Sequence, residues 1–367
     1  MSLEEAAVYE VALGLVPGVG NKNIRHLISY CGSAHGVFTR PPGKLAKIPG
    51  VGPVLVKRIK AHKNTCLARA EEELKKAEKL GVNILFYTHP NYPKRLKHLL
   101  DAPHLLYYKG TADLDSQKIV SLVGTRKSTR YGQKFIEYFI EELGRYKNLL
   151  VVSGLAYGID ILAHRECLKL GIPTVGVMAN GIDRVYPPAH AATARQMLEG
   201  GGLLTENAIG SMPDAPKFPE RNRIIAGLSD AVIVVEAGET GGALITADLA
   251  NSYNIEVFAV PGPFNAPASK GCNKLLANHQ AHILTSLNDF NKIMNWDVAT
   301  APKKSLPPVE LTREEIRVME VLQNGEVSID LISYKAQVPI SQLPALLINL
   351  ELNGLIKPLP GNRYAKN

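Results

Sequence analysis

No run of apolar residues in this chain approaches the roughly 18 that a helix needs to cross a bilayer. The amino terminus is acidic (Glu4, Glu5, Glu10) and has neither the basic nor the apolar stretch of a secretory leader. Both absences predict a soluble, cytoplasmic protein with no membrane partner. The 4 cysteines, Cys31, Cys66, Cys167 and Cys272, are far apart and form no CxxC pair. That excludes an ordinary zinc finger and offers no disulfide framework. GxxxxGK[ST] is missing, which excludes an ordinary ATP-binding loop. GxGxxG is missing too, so a nicotinamide or flavin cofactor is unsupported. With no HExxH and no EF-hand pattern, neither a metal nor a cofactor is expected.

Excess charge is also scarce, and it is unevenly placed. The 367 residues suggest two or three domains at about 100–200 residues each. Hydrophobic residues make up 46% and charged residues 21%, which argues against global disorder. There are 42 Lys+Arg against 34 Asp+Glu, a net +8. Residues 1–66 hold nine basic and three acidic residues, 9 − 3 = +6; residues 311–367 hold six of each, net zero; the middle holds 27 and 25, net +2. This balance permits nucleic-acid binding, but in the middle of the chain such a site must rest on local geometry.

The sequence repeats itself near its start. Leu15-Val16-Pro17-Gly18-Val19-Gly20 is matched by Lys47-Ile48-Pro49-Gly50-Val51-Gly52. Each copy reads as helix, tight turn, helix, with glycine supplying the turn's positive φ. The free N–H groups of such a turn and of the following helix can hold a phosphate. The pair resembles a helix-hairpin-helix (SAM-like) module, a sequence-independent binder of the DNA backbone. A small helical packing unit that touches only protein fits the same pattern.

After a stretch of strong helix formers over 67–80, apolar runs of strand length alternate with helical stretches. The strands are expected at Val82–Tyr87, Ile119–Val123, Leu149–Val152, Thr174–Val177, Leu203–Leu204, Ala231–Val235 and Val257–Val260. Helices are expected at Gly132–Arg145, Gly158–Leu170, Pro219–Leu228 and Gly242–Tyr253. Continuous apolar strands between helices predict a parallel sheet covered on both faces. The fold class is therefore α/β: a Rossmann-like doubly wound domain over 67–295, flanked by the helix-hairpin-helix domain over 1–66 and, past a proline-bearing linker over 296–310, a winged-helix domain over 311–367. The last opens with Thr312-Arg-Glu-Glu, which reads as a capping box. Its zero net charge favours protein contact or a spacer role over DNA.

Four strand-to-helix turns carry candidate chemistry, and in an open parallel sheet such ends are where ligands bind. In Val123-Gly124-Thr125-Arg126-Lys127-Ser128, Gly124 lets backbone approach a phosphate and Arg126 can grip one bidentately; a tight turn with a solvated arginine reads the same way. In Val152-Ser153-Gly154-Leu155-Ala156-Tyr157-Gly158-Ile159-Asp160, Asp160 suits a helix entry. His164 lies four residues on, and a structural hydrogen bond is favoured over catalysis. Ser153 is not in a GxSxG elbow. In Phe218-Pro219-Glu220-Arg221-Asn222-Arg223, the polar residues can hold a phosphate and Phe218 can stack on a base; the alternative is a salt-bridged helix start with Phe218 in the core. The fourth turn, Val235 to Thr246, is glycine-rich, for a ligand or only for close packing. The set describes a phosphate-binding cleft better than a catalytic one.

The segments GTRKSTRYG at 124–132, SGLAYGID at 153–160, FPERNRIIAGLSD at 218–230, VVEAGETGGALITADLA at 234–250 and VFAVPG at 257–262 resemble, in order and spacing, the DNA-processing protein A (DprA/Smf) family. The resemblance spans about residues 10–290. It implies a non-enzymatic protein that binds single-stranded DNA, protects incoming strands during natural transformation and loads the RecA recombinase. It also implies a homodimer through the Rossmann-like domain. By resemblance, Arg126, Ser153, Gly154, Phe218, Arg221, Asn222 and Arg223 line the DNA pocket. Gly124 belongs with them from its turn, and Lys217 by proximity. Two rival readings remain. One is a nucleotide N-glycosidic hydrolase of a related fold, with Glu236 as its acid. The other is a nucleotide-sensing binding module.

Overall fold

In the computed structural model, the repeated hexapeptides close two matching helical turns. The structure describes residues 3–296, 311–323, 325–352, 355–359 and 361–366. Leu3–Gly14 (α1) meets Asn21–Cys31 (α2) across the first copy; after Ala34–Thr39 (α3), Pro42–Leu45 (α4) meets Pro53–Leu80 (α5) across the second. Gly18 and Gly50 take φ of 70° and 74°, values that side chains with a Cβ rarely adopt. The two copies touch reciprocally. The ring of His26 donates through Nε2 to Pro49 O at 2.7 Å, and the Arg58 guanidinium lies over Gly18. Val16, Val19, Ile48 and Val51 are buried beneath the turns.

The division expected at 66/67 falls inside one helix. Past Pro53 neither glycine nor proline interrupts α5 until Gly81 ends it in a left-handed cap. The helical module and the sheet accordingly belong to one compact unit, Met1–Ala299, and Thr300–Asn367 form a second.

The sheet follows in alternation. Its elements are Asn83–Phe86 (β1), Lys94–Lys97 (α6), Leu105–Gly110 (β2), Lys118–Val123 (β3), Arg130–Leu143 (α7), Leu149–Gly154 (β4), Ile159–Leu170 (α8) and Thr174–Val177 (β5). They continue with Ala191–Met197 (α9), Gly202–Thr205 (β6), Lys217–Gly227 (α10), Ala231–Val234 (β7), Gly242–Ser252 (α11), Glu256–Ala259 (β8), Lys270–Ala277 (α12), His282–Ile283 (β9) and Leu287–Met294 (α13). The strand order is β1-β2-β6-β5-β4-β3-β7-β8-β9. From β6 to β9 all pairs are parallel. At the other edge β2 is antiparallel to β6, and β1 to β2. The expected all-parallel sheet is thus extended by an antiparallel pair, because only the single-turn α6 separates β1 from β2 and no crossover helix turns the chain around. One face packs Phe139, Ile140 and Phe290 against β3 and β4; the other packs Ile224, Ile225 and Ala247 from α10 and α11. Successive strands step outward from β3 to β6. The chain then returns through α10 and steps the other way from β7, which places the topological switch point between the carboxyl ends of β3 and β7.

The second unit has Arg313–Leu322 (α14), Val327–Ser328 (β10), Ile329–Ala336 (α15), Leu343–Leu352 (α16), Ile356–Leu359 (β11) and Arg363–Lys366 (β12), with strand order β10-β12-β11. This is a winged helix. Thr312 and Glu315 form the expected capping box. Of the linker expected at 296–310, only Trp296 is among the described residues; it packs against Tyr146 and Phe290.

Candidate nucleic-acid interface

A cleft of about 960 Å³ opens at the switch point. Its walls are the turn after β3, the turn after β7, the start of α10 and the opening turn of α11. Gly124 is required there: a Cβ would stand 2.5 Å from the Ile159 side chain and 3.0 Å from Glu236 O. The first N–H groups of α11 have no intrahelical acceptor, and its first residues, Gly242 to Leu244, line the cleft. At the mouth, the exposed Arg126 guanidinium lies 5.4 Å from the centre of the Phe218 ring. Tyr186 continues this aromatic surface, its ring centre 5.9 Å from that of Phe218.

Arg221 forms the floor. It is 6% exposed and donates through Nη1 to Val177 O, while its Nε is buried without a hydrogen-bond partner. Burial lowers its pKa, opposed by the carboxylate of Asp160. The same burial raises the Asp160 carboxyl to about 6, against the pull of Arg221. The structure therefore holds an under-satisfied cation facing a cleft, beside one carboxyl whose ionisation burial opposes and Arg221 favours. A buried guanidinium with a free N–H is a strong receptor for a phosphate oxygen.

The expected site residues separate into two groups. Gly124, Arg126, Phe218, Arg221 and Asn222 line the cleft. Asn222 also donates to Gly242 O at 3.1 Å, tying α10 to the start of α11. Ser153, Gly154, Lys217 and Arg223 are not among the lining residues. Ser153 is fully buried and donates to Leu122 O, bonding β4 to β3. A Cβ at Gly154 would strike both Arg221 and Asp160 at 2.4 Å, so this glycine makes room for the floor rather than forming it. Lys217 is spent on Met212 O at 3.1 Å. Arg223 turns away to Asp101 O and the Glu206 carboxylate.

Two candidates for chemistry are accounted for structurally. His164 is buried between Thr174 Oγ1 at 2.7 Å and Gly154 O at 2.8 Å. Burial lowers its pKa to about 4, so a neutral ring donating from Nε2 and accepting at Nδ1 fits both contacts. Glu236 is 2% exposed and accepts from the backbone and hydroxyl of Thr129 at the start of α7. Its carboxylate supports a helix entry and is outside the cleft lining. Among the described residues, no cluster of three His, Cys, Asp or Glu side chains could hold a metal ion. The residue that sequence reasoning missed is Tyr186. Its loop after β5 carries Asn180-Gly181 and Arg184, and that glycine and arginine are the cue that could have found it.

Comparison with known proteins identifies the family of this chain. Residues 83–295 match the family model described as DNA recombination-mediator protein A, and residues 302–362 match the DprA winged helix domain. Protein Smf of Synechocystis sp. is 30% identical over 98% of both chains. DNA processing protein DprA of Bacillus subtilis is 37% identical over 59% of this chain and 73% of its own. The X-ray structure of DNA processing protein A from Streptococcus pneumoniae superposes with a TM-score of 0.68 at 33% identity, covering 78% of this chain and 97% of that one. The Helicobacter pylori protein, whose structure was described for its single-stranded DNA binding mode, gives 0.53 at 30% identity over 58% of this chain and 96% of its own.

Proposed function

Because the chain belongs to the DNA-processing protein A (DprA/Smf) family, we propose that its switch-point cleft binds single-stranded DNA and that the protein acts as a recombination mediator rather than an enzyme. The observation that carries this is the arrangement of Arg126, Phe218 and Arg221: one exposed guanidinium over an aromatic ring at the mouth, one buried guanidinium with an unused N–H at the floor. The cations take phosphates. The Phe218–Tyr186 surface takes an unpaired base, which a duplex keeps stacked inside. The structure described for the Helicobacter pylori relative supports the same polymer.

The role follows the family. The protein covers incoming strands during natural transformation, loads the RecA recombinase onto them, works in the cytoplasm and pairs through its sheet domain. Fluorescence anisotropy with a labelled dT oligomer and its duplex, across a salt series, tests the binding. The single strand binds preferentially and weakens steeply with salt. Absence of binding at low salt refutes the reading.

A further inference from the structure

A second concavity lies away from the cleft, between β2, β6, α9 and the segment joining β5 to α9. Its volume is about 530 Å³. The floor is apolar, made by Ile182, Val185, Ala194, Leu198 and Leu203. The rim is cationic: Lys109 on β2, Arg184 on the joining segment and Arg195 on α9. None of these three side chains has a hydrogen bond or ion pair among the described residues, and Arg184 and Arg195 are exposed. Asp183 is the one carboxylate among the lining residues, and it accepts from Gly210 N at 2.7 Å. Elsewhere in this unit several surface cations find acids, as Arg95 finds Asp230 and Lys169 finds Glu166.

We propose that this groove is a docking site for an acidic amphipathic helix of a partner protein, its leucine-like face on the Ile182–Leu203 floor and its carboxylates on Lys109, Arg184 and Arg195. Charge complementarity selects this occupant. Unpaired cations ringing an apolar floor match a helix with one apolar and one acidic face. A nucleic acid would use the rim and leave the floor exposed to water. The site stands independently of the DNA reading of the cleft. Even so, a helix held here rests on the back of the segment that presents Tyr186 to the cleft mouth, since Ile182 to Val185 line the groove and Tyr186 follows directly.

The test is anisotropy of the full chain with a fluorescein-labelled peptide carrying leucines on one helical face and glutamates on the other. A scrambled peptide of the same composition is the control. The expected result is saturable binding of the amphipathic peptide alone. It should weaken about tenfold when Arg184→Glu and Arg195→Glu are combined. Ala191→Trp, which fills the groove from an exposed position, should also weaken it. Circular dichroism checks that both variants fold, and their dT affinity stays at the parent level. Absent or non-saturable binding, equal binding of the scrambled peptide, or full affinity in both variants overturns the proposal. So does a charge reversal that weakens dT binding while sparing the peptide, which would assign the groove to nucleic acid.

Discussion

Arg223 hydrogen-bonds the carboxylate of Glu206, and that carboxylate also accepts from Asn21 at the start of α2 at 3.2 Å. Asn21 in turn accepts from His104 N at 3.0 Å. The third residue of the Arg221-Asn222-Arg223 run thus anchors the helical module to the sheet instead of facing the cleft. Both side chains of the pair are less than one-fifth exposed. Burial raises the Glu206 pKa, and Arg223 counters it.

Removing one partner of such a pair leaves the other charge poorly solvated. Arg223→Ala should cost about 3 kcal/mol in urea unfolding, and Arg223→Ala with Glu206→Gln less than the sum of the two single changes. Single-strand affinity of Arg223→Ala should fall less than that of Arg126→Ala. The reverse order would return Arg223 to the DNA site.

Arg126 and Phe218 should fail differently. Arg126→Ala removes a phosphate contact, so affinity drops for every sequence and the salt slope shrinks by about 0.7. Phe218→Ala removes a stacking platform, costs about 1–3 kcal/mol and leaves the slope unchanged. Salt titrations of both variants on a dT oligomer check this.

Asp160 makes the floor pH-dependent. Its folded pKa, about 6, lies above the ordinary 3.8. Its favourable contribution is therefore complete below about pH 4 and is lost as pH rises through 6, a loss of about 3 kcal/mol. Ionised Asp160 also offsets Arg221, so single-strand affinity should fall over the same rise. Asp160→Asn should flatten both curves, read by urea unfolding and anisotropy between pH 4 and 7.

His164 works in the opposite sense. Its folded pKa, about 4, lies below the ordinary 6.5. The stability it contributes is present above about pH 6.5 and is lost as pH falls through 4. In an Asp160→Asn background, His164→Gln should reduce that acid loss by about 3 kcal/mol, even if the variant starts from a lower stability at pH 7.

Much of this was legible in the residues because apolar runs and glycine punctuation mark buried parallel strands and their turns. The β3, β5 and β7 strands and the α7, α8, α10 and α11 helices stand close to where those signals put them. The β2 strand went unread although Leu105 to Tyr108 form an apolar run, and its antiparallel pairing was not legible because such runs do not say which way a strand is paired; β9 was missed because it has two residues. Adjacency misled at Arg221, Asn222 and Arg223. Successive helical residues point about 100° apart, so one reaches the cleft floor, one α11 and one Glu206. Ser153 misled similarly: it lies next to the end of a fully buried strand, and its hydroxyl is used between strands. Tyr186 was missed because its place depends on the ring of Phe218, thirty-two positions away.

The most direct test of the central claim is photocross-linking of a dT oligomer carrying 4-thiothymidine, followed by mass spectrometry of the adducts. The cleft account predicts adducts on peptides containing Tyr186 and Phe218, lost when excess unlabelled dT is added. Adducts confined to the helical module, the winged helix or the groove of Arg184 and Arg195 would contradict it.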